Sequence, residues 1–419
     1  MLQTLANSLR TPEIRRKIAF TAAMLLAYRV GSYIPSPGVD VDALKQFQNQ
    51  FNGGNILGFL NLFSGGSLSR LSLFALGIMP YITASIILQL MTVVSPNLEQ
   101  LAREGEVGQQ KITQYTRYLT VGLAAAQAIG YVALFKSQSN SVITNGKLGN
   151  LLLIATCLTA GTILLMWFGE LITQRGIGNG ISLLIFASIV SRLPSGVSSW
   201  WNSTDQVFKL MMPFIAIGVI VAVVFIQEGQ RRIPVQYAKR QIGRKMTQGG
   251  STYLPLRVNM AGVIPIIFAA SIMAFPPTVA TLIHTDWAQN IANFFSPNGT
   301  AYILGECLFI IMFTYFYTAV TFNPREQADN LKKYGGFIPG VRPGLPTAEY
   351  LDRILARLTF PGALYLAAVA AFPMILINRT GAPFYFGGTS ILITVGVALD
   401  TMKQLEAQLQ MRNYEGFLN

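Results

Sequence analysis

Residues able to perform acid–base, nucleophilic or metal chemistry are sparse and scattered in this sequence of 419 residues. The single histidine is His284. The two cysteines, Cys157 and Cys307, each lie inside an apolar run, where a thiol is a small buried group rather than a nucleophile or half of a disulfide framework. No His/Cys/carboxylate set has the spacing of metal ligands, so no metal is expected. Gly176-Ile177-Gly178-Asn179-Gly180 looks like part of a nucleotide-binding turn. It follows no strand, lacks the third glycine of the dinucleotide spacing and is accompanied by no Walker lysine, so it reads as a helix-breaking turn. With no acid/base pair, nucleophile–base pair or metal set, an enzyme is not expected, and neither is a cofactor.

Three other patterns have physical meaning. Ile78 and Ile82 are four residues apart and share a helix face, as do Ile181 and Ile185. A collar of isoleucines can close a pore by excluding water and still yield to a wide passenger. Ordinary helix–helix packing produces the same spacing, so periodicity alone leaves both readings open. The second pattern is a repeat: Gly77-Ile78-Met79-Pro80 and Gly262-Val263-Ile264-Pro265 stand 185 residues apart, each inside an apolar run. Matched Gly/Pro breaks mark the functional pathway in membrane proteins built from two inverted halves. The third is basic charge. Residues 228–257 hold Arg231, Arg232, Lys239, Arg240, Arg244, Lys245 and Arg257 against Glu228 alone, a net +6. Residues 322–353 hold Arg325, Lys332, Lys333, Arg342 and Arg353 against four carboxylates, with Pro234 and the 339–344 stretch (PGVRPG) as loop punctuation. Such loops can enforce topology at a lipid surface, dock an acidic protein or contact nucleic-acid phosphates; the charge density of the first favours the last two.

The elements that must position these residues are membrane helices. The chain is 52% hydrophobic and 12% charged with mean hydropathy +0.45, and apolar runs of spanning length recur throughout. Ten spans are predicted, near 18–36, 71–95, 118–136, 149–170, 179–194, 207–227, 258–281, 301–321, 354–377 and 387–402. With both termini in the cytoplasm, inside segments carry 22 Lys/Arg and outside segments 7, which sets the orientation. Arg15-Arg16-Lys17 before an apolar run resembles a secretory signal, but Arg29 interrupts that run and no small-residue cleavage site follows, so a retained first helix is expected. The chain divides near residue 200 into halves 1–200 and 201–419 of five spans each, and an odd count makes them opposite in orientation. Between the first two spans, residues 55–64 between two Gly pairs make a helix of about 15 Å, too short to cross. It is read as re-entrant, with a helix lying on the outer surface as the alternative. The predicted fold is thus an all-α integral membrane protein of ten transmembrane helices in two inverted five-helix halves with one re-entrant helix.

Glu170, Glu306 and Asp400 fall towards predicted span ends, and Arg29 and Arg357 are placed to snorkel. That scarcity of intramembrane charge counts against a solute-coupled secondary transporter, the main rival reading. A ribosome scaffold would use the basic loops but leaves the matched Gly/Pro breaks unexplained.

Seven stretches in order give the sequence a close resemblance to the SecY family of protein-translocation channels over essentially its full length. They are 61–66 (NLFSGG), 74–82 (FALGIMPYI), 114–117 (QYTR), 173–181 (TQRGIGNGI), 231–238 (RRIPVQYA), 259–265 (NMAGVIP) and 340–344 (GVRPG). The resemblance implies an hourglass channel that passes unfolded polypeptide outward and opens sideways to release hydrophobic segments into lipid. It implies a pore ring at Ile78, Ile82, Ile181, Ile185, Ile267 and Ile393. It makes the 55–64 segment a plug, with Asn61, Phe63 and Ser64 holding it, and makes Gly77, Pro80, Gly262 and Pro265 the hinges of a lateral gate between spans two and three and spans seven and eight. Docking of a ribosome, through rRNA, or of the SecA motor ATPase is implied for Arg231, Arg232, Arg240, Arg244, Lys245 and Arg342. The implied membrane partners are SecE and SecG. The implied passengers are preproteins with their signal peptides, and the implied location is a bacterial plasma membrane, or a thylakoid membrane for a plastid-type member.

Overall fold

The computed structural model describes residues 11–40, 43–44, 61, 63–138, 142–143, 147–202, 206–237, 241–242, 245–246, 251–280, 294, 299–380 and 388–415. Helix α1 (Pro12–Gly31) starts on a proline, whose missing N–H costs nothing in a first turn. Helix α2 (Met79–Val94) begins eight residues later than the predicted 71. Leu71 (φ +41°) and Gly77 (φ +61°) hold the intervening chain in left-handed turns, and Pro80 lies in the first helical turn. The Gly/Pro break is therefore a helix start, not a kink within a helix. Ser95, extended as residues before proline prefer to be, then ends α2. Helix α3 (Pro96–Arg103) leaves at 99° to it.

Helix α4 (Glu106–Gln138) extends a dozen residues before the predicted start at 118. Its N-terminal half is tied to α5 (Leu148–Arg175) by Arg117, whose Nε and Nη2 donate to the two carboxylate oxygens of Glu170 at 2.8 and 2.7 Å. The Gly176–Gly180 turn separates α5 from α6 (Gly180–Val190), and Asn179 caps α6 by accepting from the N–H of Ile181 at 3.0 Å. Then follow α7 (Leu193–Trp201), α8 (Gln206–Glu228), α9 (Ile264–Ala280), α10 (Thr300–Thr321), α11 (Pro324–Lys333), α12 (Leu345–Thr380) and α13 (Gly388–Glu415). Among the described residues, Leu148–Arg175, Gly180–Ser198, Lys209–Glu228, Thr300–Lys333 and Leu345–Phe372 are individually long and apolar enough to cross a bilayer, with the bent α2–α3 pair as a sixth candidate.

The helices pack in two sets. In the first, α2 lies on α4, α4 on α5, α5 on α6, and α1 on both α5 and α6. In the second, α9 lies on α10, α10 on α12, α12 on α13, and α13 on α8 and α9. The broad contacts between the sets run through α2 against α9 and α6 against α13.

The two basic loops differ from the sequence reading, which treated them separately. Strands β1 (Gln230–Tyr237), β2 (Gln241–Ile242), β3 (Lys245–Met246) and β4 (Ser251–Arg257) occupy the first loop, and β5 (Gly336–Phe337) lies in the second. β4, β1 and β5 form one antiparallel sheet, so the loops share a single scaffold. From Arg232 onward the side chains alternate, Ile233 and Val235 inward and Arg232, Pro234 and Gln236 outward, while Arg231 shares the face of Ile233 but is exposed near the strand's start. Pro234, expected to punctuate a loop, sits inside the strand. The sheet tolerates it because β5 reaches only Gln236 and Tyr237, which leaves an open edge beside the proline. Ile233, Val235 and Leu256 pack with Phe322, Ile338, Leu351, Ile354 and Leu355 in a cluster separate from the main core.

Ile233→Ala should therefore loosen both loops at once, because truncating a buried isoleucine costs about 2–5 kcal/mol. Hydrogen exchange is the check. The amide of Val341, which donates to Ile338 at 3.0 Å in the other loop, should exchange faster in the variant. Unchanged protection there would mean that the loops are mechanically independent.

Candidate functional site

The six isoleucines come from α2 (Ile82, with Ile78 at its N-cap), α6 (Ile181 and Ile185), α9 (Ile267) and α13 (Ile393). These are the four helices through which the two sets meet. Ile78, Ile82, Ile185, Ile267 and Ile393 belong to one continuous buried cluster, with Ile185 and Ile393 at 0% exposure, and part-buried Ile181 packs against it. These six side chains are hydrocarbon and offer no group to replace an ion's hydration.

The four residues expected to act as hinges sit at equivalent local positions. Gly77 (φ +61°) precedes α2 and Gly262 (φ +63°) precedes α9, a backbone conformation that a side chain would strain. Pro80 and Pro265 each fall at the second position of the helix that follows. The two helices touch where the Ser271 hydroxyl lies 3.7 Å from Met79 Sδ.

Residues 55–60 and 62 of the expected plug lie outside the described residues; its C-terminal end is described and buried. Asn61 Oδ1 accepts from the N–H of Ser69 at 3.1 Å, and its carbonyl accepts from the N–H of Gly66 at 2.9 Å. Ser64 Oγ donates to the Asn61 carbonyl and accepts from the N–H of Leu68, both at 3.2 Å. Phe63 is buried in the main cluster beside Leu68, Leu71 and Phe74. A Cβ added to Gly77 would stand 3.4 Å from Ser64 Cα, so the turn before α2 lies close beside the end of this segment.

The sequence reading missed what fastens this end. Tyr28 Oη lies 2.6 Å from Ser188 Oγ of α6 and donates to the Ser64 carbonyl at 3.3 Å. Arg29, expected to snorkel, instead donates from Nη1 to the Gly65 carbonyl at 3.1 Å and from Nη2 to Tyr33 Oη at 2.8 Å. A tyrosine–arginine pair at the end of the otherwise uncharged stretch 18–31 of α1 was the available signal, and its partners 36 and 160 residues away were not legible. Glu306, expected towards a span end, is 1% exposed within α10.

On the two basic loops, Arg231 and Arg232 are exposed on β1, and Arg342 is exposed in the turn after β5. Arg240 and Arg244 lie outside the described residues, as does the side chain of Lys245 in β3; His284 is likewise outside them. At the base of the loops a cavity of about 350 Å³ opens between the starts of α6 and α9 and the length of α13, with Arg257, Asp400 and Lys403 on its wall. Lys403 Nζ pairs with Glu228 at 2.9 Å.

A family model described as SecY matches residues 72–402. A protein translocase subunit SecY of Mycobacterium bovis is 48% identical over 440 aligned positions that cover 100% of both chains. A solved protein-conducting channel superposes with TM-score 0.67 at 19% identity, covering 94% of this chain and 92% of that one. The Sec61 channel of a canine ribosome–channel complex from the endoplasmic reticulum does so with TM-score 0.63 at 18% identity, again covering 94% and 92%.

Proposed function

This chain belongs to the SecY family of protein translocase channel subunits, which are not enzymes, and we propose that it conducts unfolded preproteins through a pore between its two sets of helices. One observation supports the reading: all six isoleucines come from the four helices at the seams between the sets, five of them within the main buried core and Ile181 packed against it. At rest the aliphatic collar and the segment ending at Asn61, Phe63 and Ser64 close the path. A partner docked on the cytosolic loops shifts the closed–open equilibrium, and the passenger supplies the remaining free energy by displacing dispersion contacts.

The finer assignments have the same status. The matching neighbour orders of the two helix sets support ten spans in two inverted halves, 1–200 and 201–419. The paired breaks Gly77–Pro80 and Gly262–Pro265 at the starts of α2 and α9, which meet at one seam between the sets, support lateral release between α2 and α9. The excess of Lys/Arg in inside segments supports cytoplasmic termini in a bacterial plasma membrane. A shared sheet presenting Arg231, Arg232 and Arg342 supports docking of a ribosome, as in the ribosome-bound canine channel, or of the SecA motor. SecE and SecG are the proposed membrane partners.

The direct test reconstitutes the chain with those partners in liposomes and measures protease-protected preprotein after adding motor and ATP. Protected preprotein without uptake of amino acids or sugars is expected. Solute uptake with no protected preprotein would favour a secondary transporter instead.

A further inference from the structure

The cavity between α6, α9 and α13 has one carboxylate on its described wall, Asp400, and two cations, Arg257 and Lys403. Arg257 and Lys403 attract the charge of Asp400, and Glu228 repels it. Lys403 is already held by Glu228 at 2.9 Å, whereas Arg257 and Asp400 make no ion pair among the described residues. Arg257 is therefore the cation available to Asp400.

Each of the two is attached to a part that opening must move. Arg257 ends β4, in the sheet that presents Arg231 and Arg232. Asp400 follows Ile393 and Val397 on α13 at a spacing that places all three on one face of the helix, so it shares the face of a waist isoleucine. A Cβ added to Gly262 would stand 3.5 Å from Asp400 Oδ2, so the carboxylate abuts the left-handed turn before α9. That turn is incompletely bonded. Asn259 Nδ2 donates to the Gly262 carbonyl at 2.9 Å, but Asn259 Oδ1 is buried with no partner among the described residues. The same holds for Gln227 Nε2, which packs with Val263 against Gly396. Buried polar groups are nearly always bonded, so a turn that leaves both a donor and an acceptor unpaired is poised to rearrange. The cavity, of about 350 Å³, gives it room.

We propose that Asp400 is a positioning residue for channel opening: when a partner docks on the sheet, Arg257 closes across the cavity onto Asp400 and turns the Gly262 hinge, and α9 with it. The inference rests on the reading of this chain as a channel opened from its basic loops, and it names the residues that carry the docking signal towards the waist.

Motor-driven export by the reconstituted full-length channel is the test, read as the maximal rate and as the motor concentration that gives half of it. Asp400→Asn should lower the maximal rate about tenfold, between the effects of a surface ion pair and a buried one, and leave the half-saturating motor concentration unchanged. Arg257→Gln, at an exposed side chain, should do the same, and it carries the test alone should Asp400→Asn not fold. The double variant Arg257→Gln/Asp400→Asn should be no slower than either single one, because both remove the same pair. Exchanging the charges in Arg257→Asp/Asp400→Arg should recover most of the rate, which separate structural roles for the two residues would not allow. A wild-type maximal rate from either single variant, or a double variant about a hundredfold slow, would overturn the pair. An exchanged channel as slow as the single variants would overturn it too. No export by the wild type would overturn the channel reading and this inference with it, whereas normal export by the variants alone leaves the channel reading standing.

Discussion

Replacing Ile82 and Ile267 with serine is expected to raise the resting ion conductance of the channel in planar bilayers by about thirtyfold or more, equivalent to about 2 kcal/mol off the barrier to an ion. Both side chains are nearly fully buried, at 3% and 4% exposure, and they come from α2 and α9, on opposite sides of one seam. Serine removes hydrocarbon that excludes water and adds a hydroxyl that holds it, so the waist wets. The backbone should accept the change, since serine hydroxyls in these helices already return to their own turn, as Ser271 does to the Ile267 carbonyl at 2.7 Å. A thermal-unfolding scan separates leak from collapse. Unchanged conductance from a folded double variant would mean that the seal lies elsewhere.

Arg342→Glu should abolish motor-driven export, with rates down about a hundredfold or more, while insertion and fold persist. The magnitude follows from reversing one charge at an interface, where losing a hydrogen-bonded charge partner costs about 2–5 kcal/mol. The side chain is exposed, so folding loses nothing when it changes. The backbone beneath it is held firmly: Thr347 Oγ1 donates to the Arg342 carbonyl at 2.8 Å, and Gly340 and Gly344 flank it at φ +83° and +100°. A backbone held in this way leaves only the exposed side chain to be ordered when a partner docks. Export into inverted vesicles with added motor and ATP is the measurement. A normal rate from the Glu variant would remove this turn from the docking surface.

The sequence was most informative where a pattern is local. Apolar runs located the long helices, and the Gly/Pro repeat identified two places that share a left-handed glycine and a proline in the first helical turn. Helix starts were less legible. The run from Leu71 to Ile78 is as apolar as the helix it precedes, and hydropathy does not register φ. The sheet was legible in part, since alternation along Arg232-Ile233-Pro234-Val235-Gln236 is a strand signal that Pro234 disguises. Its pairing with Gln236 and Tyr237 by a segment a hundred residues away was not, because strand partners depend on tertiary packing. The isoleucine site was half legible. Period four suggested shared faces, whereas convergence of α2, α6, α9 and α13 exists only in three dimensions. Tyr28, Arg29 and Ser188 lay beyond reach for the same reason.

The central claim is that the passenger crosses between the helix sets, through the aliphatic waist. It is tested most directly by arresting a preprotein midway, with one cysteine in the arrested stretch, in channels whose Cys157 and Cys307 are replaced by alanine. Ile82→Cys, Ile185→Cys or Ile393→Cys should each form a disulfide with the arrested chain, and Phe225→Cys, on the 79% exposed outer surface of α8, should not. Crosslinking at position 225 with none at 82, 185 or 393 would contradict the account.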